Sequence, residues 1–292
     1  MSEKKVVIGT IAYGATTAPY LALFKKSLAE QTFQDFTLII RDNTENNLGF
    51  SKAYNLMIKE AIKQKAKYFL VINPDVYLAK NTLELLVKVL EEDSRLGVVA
   101  PKLLQWDFEN KLFTKIIDSC GLKLKTGLGF CDLGQGQVDL NQFVDTKIIG
   151  ATGAAALFRL SVLEDTKEDE QYFDEHFFMY KEDCDLAYRL YLKNYQARLI
   201  NDALGYHDRT ASGGSLLKRF LNRRQRTNKV RAWSFINQHF LFIKYWHKQN
   251  LLNRFMILVR IKLLFFNALI FEQFLLSCYK EILKQSKTLK RY

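Results

Sequence analysis

Within its first hundred residues this chain repeats one unit: a short β-rich apolar run, a polar residue at its end, then a segment of helical period. Val6 to Ile11 is the first run, followed by a helix that Pro19 opens and whose Leu21, Phe24 and Leu28 share a face. Thr37 to Ile40 is the second, ending at Arg41 and Asp42; a polar stretch from Asn43 to Asn47 then leads to a helix with Ala53, Leu56, Met57 and Ala61 on one side. Tyr68 to Ile72 is the third, ending at Asn73, Pro74 and Asp75, and Asn81 with Glu84 resembles a capping box ahead of Leu83, Leu86, Val87 and Leu90. Gly97 to Ala100 reads as a further strand. Such alternation predicts an α/β fold with a mostly parallel sheet covered on both faces, whose ligands bind at the carboxyl ends of the strands. Asp42 and Asp75 stand at two of those ends.

From Leu103 to Thr146 the period weakens, which predicts irregular hairpins and loops. Gly150 to Phe158 is a small-residue turn entering a strand, and Ala197 to Ile200 is another strand, with His207 beyond a short turn. Past Gly214 the composition changes to long basic and aromatic helices, dividing the chain into a catalytic candidate, residues 1–215, and a basic helical tail, 216–292. Charge follows that division: of the net +12, the tail carries +15, from seventeen Lys and Arg against Glu272 and Glu281, so the first 215 residues carry −3.

A tail of that charge suits anionic lipid headgroups, phosphorylated acceptors or nucleic acid. Its most apolar part, Phe255 to Phe271, is broken by Arg260 and Lys262 and closed by Glu272, short of the ~20 apolar residues of a spanning helix. It reads as an amphipathic helix lying in a membrane interface, and the run RRQRTNKVRAW as a docking segment. The alternative is a set of packing helices with a solvated basic face. Cys120, Cys131, Cys184 and Cys278 are far apart, which excludes a zinc ribbon and a disulfide framework. The opening MSEKKVVIGT has no apolar signal region, giving the expectation of a cytoplasmic protein, with the tail offering attachment to the inner face of the plasma membrane.

Four groups could carry chemistry. Asp75, in FLVINPDVYL, is a carboxylate at a strand's end on a backbone stiffened by Pro74, suited to a divalent cation whose remaining ligands are phosphate oxygens. Glu182, Asp183 and Asp185 open a helix with a stripe of Leu186, Ala187, Leu190 and Tyr191; its dipole favours their anions, and one of them could accept a hydroxyl proton. His207, in LGYHDRTASGGS, offers an imidazole for Mn²⁺ or Mg²⁺ beside Asp75, and Gly213 and Gly214 could let a loop close. Each also has a plainer reading: turn aspartates, helix caps, a satisfied histidine and simple loop glycines.

Taken in order, these segments resemble the family 2 glycosyltransferases of the GT-A fold, in particular the rhamnosyltransferase-like branch, over roughly Val6 to Ser215. TIAYG is similar to the family's opening strand, implying Thr10 and Tyr13 near the nucleotide base, and RDNT to its acidic motif, implying Asp42 as the base contact. NNLGFSKAYN resembles the segment that places Asn47, Gly49, Phe50 and Asn55 at the nucleotide and diphosphate. NPDV resembles a D-x-D metal motif with Asn73 in place of its first carboxylate, which implies donor contacts for Asn73 and Asp75 and metal ligands Asp75 and His207. TGAAALFR resembles the acceptor-side turn, implying Gly153 and Ala154 there with Glu182, and FDEHFFMYKEDCDLAYR the segment bearing the general base, Asp183. Gly14 stands where the family often has Asn, and DRTASGGS is longer than the family's H-x-x-G loop.

The resemblance implies an inverting enzyme with a divalent metal, Mn²⁺ or Mg²⁺. It would take dTDP-rhamnose or a UDP-hexose, and a saccharide or polyprenyl-diphosphate-linked acceptor in bacterial surface polysaccharide synthesis. A nucleotidyltransferase on a similar sheet is the nearest alternative. A nucleic-acid-binding module would leave Asp42, Asp75, Asp183 and His207 unexplained, so no nucleic acid partner is expected.

Overall fold

A computed structural model describes residues 4–208 and 227–292. Gly213 and Gly214, the 215/216 division and Arg223, Arg224 and Arg226 of the basic run lie outside the described residues.

The strands are β1 (Val6–Ala12), β2 (Phe36–Asp42), β3 (Tyr68–Ile72), β4 (Val76–Leu78), β5 (Leu96–Asp107), β6 (Leu112–Ser119), β7 (Leu122–Lys125), β8 (Gly129–Asp132), β9 (Ala155–Arg159) and β10 (Gln196–His207). Eight form one sheet in the order β2-β1-β3-β9-β5-β10-β4, with β6 against β5, and β7 pairs with β8 as a separate hairpin. β1, β2, β3, β5 and β10 run the same way, as the alternation predicts; β9 enters antiparallel between β3 and β5. No described helix separates β5 from β9, so the crossover that a parallel return needs is missing.

The helices are α1 (Gly14–Ala29), α2 (Gly49–Lys63), α3 (Thr82–Glu92), α4 (Leu160–Thr166), α5 (Glu182–Leu192), α6 (Asn228–Tyr245), α7 (Leu251–Ile270) and α8 (Cys278–Gln285). Strand alternation sends Val6 and Ile8 to one side, where α1 and α3 supply Phe24, Leu28, Leu83 and Leu86. Val7 and Val71 go to the other, against Tyr54, Met57 and Ile58 of α2.

Several local expectations are corrected. α1 begins five residues before Pro19, because the hydroxyls of Thr17 and Thr44 accept from the Tyr13 and Gly14 N–H groups at 3.0 and 2.9 Å. Asn81 stands at the N-cap of α3 without a side-chain bond, and Glu84 accepts instead from Thr32 Oγ1 at 2.5 Å, so no capping box forms. Leu56 and Tyr191 are exposed and belong to no buried stripe. Leu103 to Thr146 contains the end of β5 and all of β6, β7 and β8, and β10 runs without a turn to His207.

The tail is partly built into the fold. Phe240, Leu241, Phe242 and Tyr245 of α6 form one apolar cluster with Phe177 and with Cys184, Ala187 and Tyr188 of α5. Lys244 of α6 is fully buried, its ammonium 2.9 Å from Glu168, 2.8 Å from Asp174 and 2.9 Å from Asp185. Among the described residues no helix is long and apolar enough to cross a membrane.

Candidate active site

A cavity of about 570 Å³ opens where β1, β2, β3 and β10 end, and two constellations face into it. The first is made by sheet pairing. Pro74 turns the chain after β3 into β4, whose antiparallel ladder with β10 sets Val76 opposite His207 and so brings His207 beside Asp75. His207 Nε2 lies 3.4 Å from Asp75 Oδ1, while its Nδ1 is hydrogen-bonded at 2.8 Å to Oδ2 of Asp118, a fully buried residue of β6. Burial lowers the His207 pKa, but Asp75 and Asp118 outweigh it and hold the group at about 10. The imidazole is therefore protonated at neutral pH, bridging two carboxylates.

The second constellation comes from three turns. Gly49 has φ +71 and lies so close to the Phe178 carbonyl that a Cβ would collide with it; the Phe50 N–H donates to that same oxygen at 2.7 Å. Asn55 holds the preceding stretch, accepting from the Tyr172 and Phe173 N–H groups at 3.1 and 2.8 Å and donating to Phe173 O at 2.8 Å. From the tail, Asn237 donates to the Met179 and Tyr180 carbonyls at 2.9 and 2.7 Å, just where Tyr180 and Lys181 take positive φ. So fixed, the chain delivers Glu182 and Asp183 to the cavity wall.

Asp183 Oδ2 accepts from the Gly153 N–H at 3.1 Å and Oδ1 from the Cys184 N–H at 2.7 Å. A Cβ on Gly153 would stand 3.2 Å from the Phe50 ring and 3.7 Å from Asp183 Cβ, so glycine lets these three segments meet. Glu182 is buried; desolvation first, and the Asp183 charge second, push its pKa well above the usual carboxylate range. Its Oε2 has no hydrogen-bond partner among the described residues. The site thus sets a buried carboxyl of raised pKa beside a second one whose two oxygens are oriented by backbone donors.

The cavity lining includes Tyr13, Asn47, Gly49, Phe50, Asn73, Asp75, Gly153, Ala154, Glu182, Asp183 and His207 of the residues singled out in the sequence. Thr10, Asp42 and Asn55 are not in it. Thr10 shares the side of β1 with Val6 and Ile8, which α1 covers, whereas Ile11 lines the cavity. Asp42 is exposed and turned to its own loop, where Oδ1 accepts from the Thr44 N–H at 2.8 Å and from the Thr44 hydroxyl. Asn55 spends its amide on the Tyr172–Phe173 backbone.

Sequence reasoning missed Asp118, Asn43 and the hairpin residues Phe130, Cys131 and Asp132 that close one wall. Asn43 is buried at the end of β2, donates to Gly49 O at 3.1 Å and keeps Oδ1 without a partner among the described residues. Its place next to Asp42, at a strand end in the polar stretch, was the available signal.

The donors present fit a divalent cation. Asp75 Oδ1 is buried with no hydrogen bond among the described residues besides the long 3.4 Å approach of the imidazole nitrogen, and Asp118 gives that imidazole the carboxylate support typical of metal-bound histidine. No cluster of three or more His, Cys, Asp or Glu side chains poised for a metal occurs among the described residues, so a cation here would draw further ligands from a diphosphate and water.

Comparison with known proteins places the chain in a family. The family model described as Glycosyl transferase family group 2 matches residues 135–281, half of the chain, and that of Glycosyl transferase family 2 matches residues 29–166. No curated protein matches the sequence. Among solved structures, GalNAc-T7 with UDP, GalNAc and Mn²⁺ shares the fold at a TM-score of 0.53 and 10% identity, over 70% of this chain and 43% of that one. TarS of S. aureus aligns at a TM-score of 0.47 and 17% identity, over 80% of this chain and 40% of that one. The TarS 1-349 complex with UDP aligns at 0.44, over 80% of this chain and 65% of that one, so this chain spans less than two thirds of each of these structures. With its curled α/β sheet, its helical C-terminal extension and family models matching from residue 29 to residue 281, the chain belongs to the family 2 glycosyltransferases of GT-A fold.

Proposed function

We propose that the chain transfers one sugar, with inversion, from a nucleoside diphosphate donor to a saccharide or polyprenyl-diphosphate-linked acceptor of a bacterial surface polysaccharide. dTDP-rhamnose is the first donor to test and a UDP-hexose the second. The reading is carried by one observation: the Asp75–His207 pair and the backbone-oriented Asp183 line the same cavity.

A donor lying across the strand ends would set its diphosphate near Asp75 and His207, within reach of Tyr13, Asn47 and Asn73. Asn43 Oδ1, which has no partner among the described residues, would accept from a nucleobase N–H. Asp75 and His207 would hold a Mn²⁺ or Mg²⁺ ion, which when bound neutralises charge developing on the leaving diphosphate. Asp183 takes the proton of the acceptor hydroxyl as that oxygen bonds to the anomeric carbon and the bond from this carbon to the diphosphate oxygen breaks. Gly153 and Cys184 N–H groups keep the carboxylate aimed during that step. Glu182, whose burial disfavours its charged form, would spare the acceptor side negative charge and offer a donor to an acceptor oxygen. A lipid-linked acceptor would place the enzyme at the inner face of the membrane.

The test is product analysis with purified protein, a donor panel and Mn²⁺. Release of nucleoside diphosphate and an inverted glycoside, both absent with Asp183→Asn, supports the reading; release of pyrophosphate would assign a nucleotidyltransferase instead.

A further inference from the structure

Helix α7 buries only Ile257 and Ala268. Leu252, Phe255, Leu258, Leu263, Phe266 and Leu269, recurring every three to five residues, are 64, 61, 49, 63, 54 and 44% exposed. The result is an apolar stripe along a 20-residue helix, about 30 Å at ~1.5 Å per residue, far more than the scattered apolar residues of an ordinary surface.

We infer that this stripe is a docking surface for an anionic lipid bilayer, with α7 lying in the interface and its Leu and Phe side chains among the acyl chains. Charge selects this occupant. α7 carries Arg254, Arg260 and Lys262 and no acidic residue, and residues 227–292 hold twelve Lys and Arg against Glu272 and Glu281. Glu272 is buried and ion-paired to Arg231 at 2.8 Å. Lys262 is exposed on the stripe itself. α8, joined to α7 through Ala268, Cys278 and Ile282, exposes Lys280 and Lys284, followed by exposed Lys287 and Lys290. An apolar stripe that carries an exposed lysine, in a segment of excess positive charge, matches acyl chains beneath phosphate headgroups. A second copy of the chain would instead set these cations against each other. A spanning role is excluded by the charges within the helix.

The assignment deepens the membrane-side placement proposed above and rests on it for its purpose. It stands on different residues from the chemistry, so each can fail alone. The test is co-sedimentation of the full chain with vesicles of phosphatidylglycerol and phosphatidylethanolamine, and with phosphatidylcholine vesicles, for wild type and for Phe255→Ser/Leu263→Ser/Phe266→Ser. Wild type should pellet with the anionic vesicles, and the triple variant should lose about tenfold or more in partition coefficient, as expected for three apolar anchors removed from an interface. Its melting temperature and its turnover of a soluble acceptor should stay at wild-type values. Wild type remaining in the supernatant, or equal pelleting of the variant, overturns the inference. So does sedimentation velocity showing a wild-type dimer that the variant dissolves, which would give the face to a second copy. Vesicle binding as expected with no sugar transfer by either protein would leave the surface standing and remove the proposed chemistry.

Discussion

Asp183 and Asp185 stand two residues apart at the start of α5, yet their surroundings are opposite. Asp185 is fully buried and saturated: Arg189 Nε at 2.9 Å, Lys244 Nζ at 2.9 Å and the Tyr245 hydroxyl at 2.7 Å hold its oxygens. Around it Glu168, Asp174 and Arg189 build an ionic cluster into which the tail inserts Lys244, and of its carboxylate oxygens Glu168 Oε1, 3.9 Å from Arg189 Nε, is the one without a hydrogen bond among the described residues. Burial opposes charge on Lys244, but Asp185, Asp174 and Glu168 outweigh it and raise its pKa. Asp183 faces the cavity, where Glu182 Oε2 lacks a hydrogen-bond partner among the described residues and Asp75 Oδ1 has no closer approach than the His207 imidazole at 3.4 Å. Closed networks hold structure, whereas buried polar atoms left open are where a ligand can supply what folding did not.

The largest effect is expected at Asp183. Asp183→Asn keeps the shape but offers one acceptor oxygen to the two N–H donors and no base, so turnover should fall by about 10² to 10⁴ with the fold and donor binding retained. Near-normal turnover would return Asp183 to the role of a helix cap. Lys244→Met should act in the other direction, removing the cation that Glu168, Asp174 and Asp185 share; denaturant titration should show a loss of roughly 3–5 kcal/mol. An unchanged midpoint would mean that the tail only rests on the domain.

Asp118→Asn should keep the fold and weaken Mn²⁺ binding, measured with the donor present, by about 10- to 100-fold, since His207 loses the carboxylate that orients it. A pH series sharpens the same point. The His207 pKa of about 10 means that a cation must displace a proton from the imidazole at neutral pH. Metal affinity should therefore fall about tenfold for each unit of pH lowered across the neutral range. A flat profile would remove His207 from the metal site. The smallest effect belongs to Asp42→Ala, which should leave donor affinity within about threefold, because that carboxylate is exposed and bonded within its own loop.

What could be read in advance followed local rules. Period-two and period-3.6 patterns mark β1, β3, α2 and α3, and strand-end position marks Asp75. Asp118 was hidden because β6 pairs with β5 through register shifts at Leu103/Leu104 and Leu104/Trp106, which break the alternation that would announce a strand. The shift between Ile200 and Leu204 likewise made β10 look finished before it reached His207. The resemblance of NNLGFSKAYN implies a ligand contact for Asn55, and the motif alone does not state that its amide bonds to the Tyr172–Phe173 backbone. The Lys244 cluster joins residues 59 to 76 positions apart in the chain, a distance at which no local pattern operates.

The most direct measurement is donor-dependent thermal shift with and without Mn²⁺, screening dTDP-rhamnose, UDP-glucose, UDP-galactose, UDP-N-acetylglucosamine and GDP-mannose against wild type, Asp75→Ala and Asp183→Asn. The expected result is a metal-dependent rise in melting temperature with one donor, abolished by Asp75→Ala and preserved in Asp183→Asn. A donor shift that is indifferent to Mn²⁺ and survives Asp75→Ala, or no shift with any donor, would contradict the account.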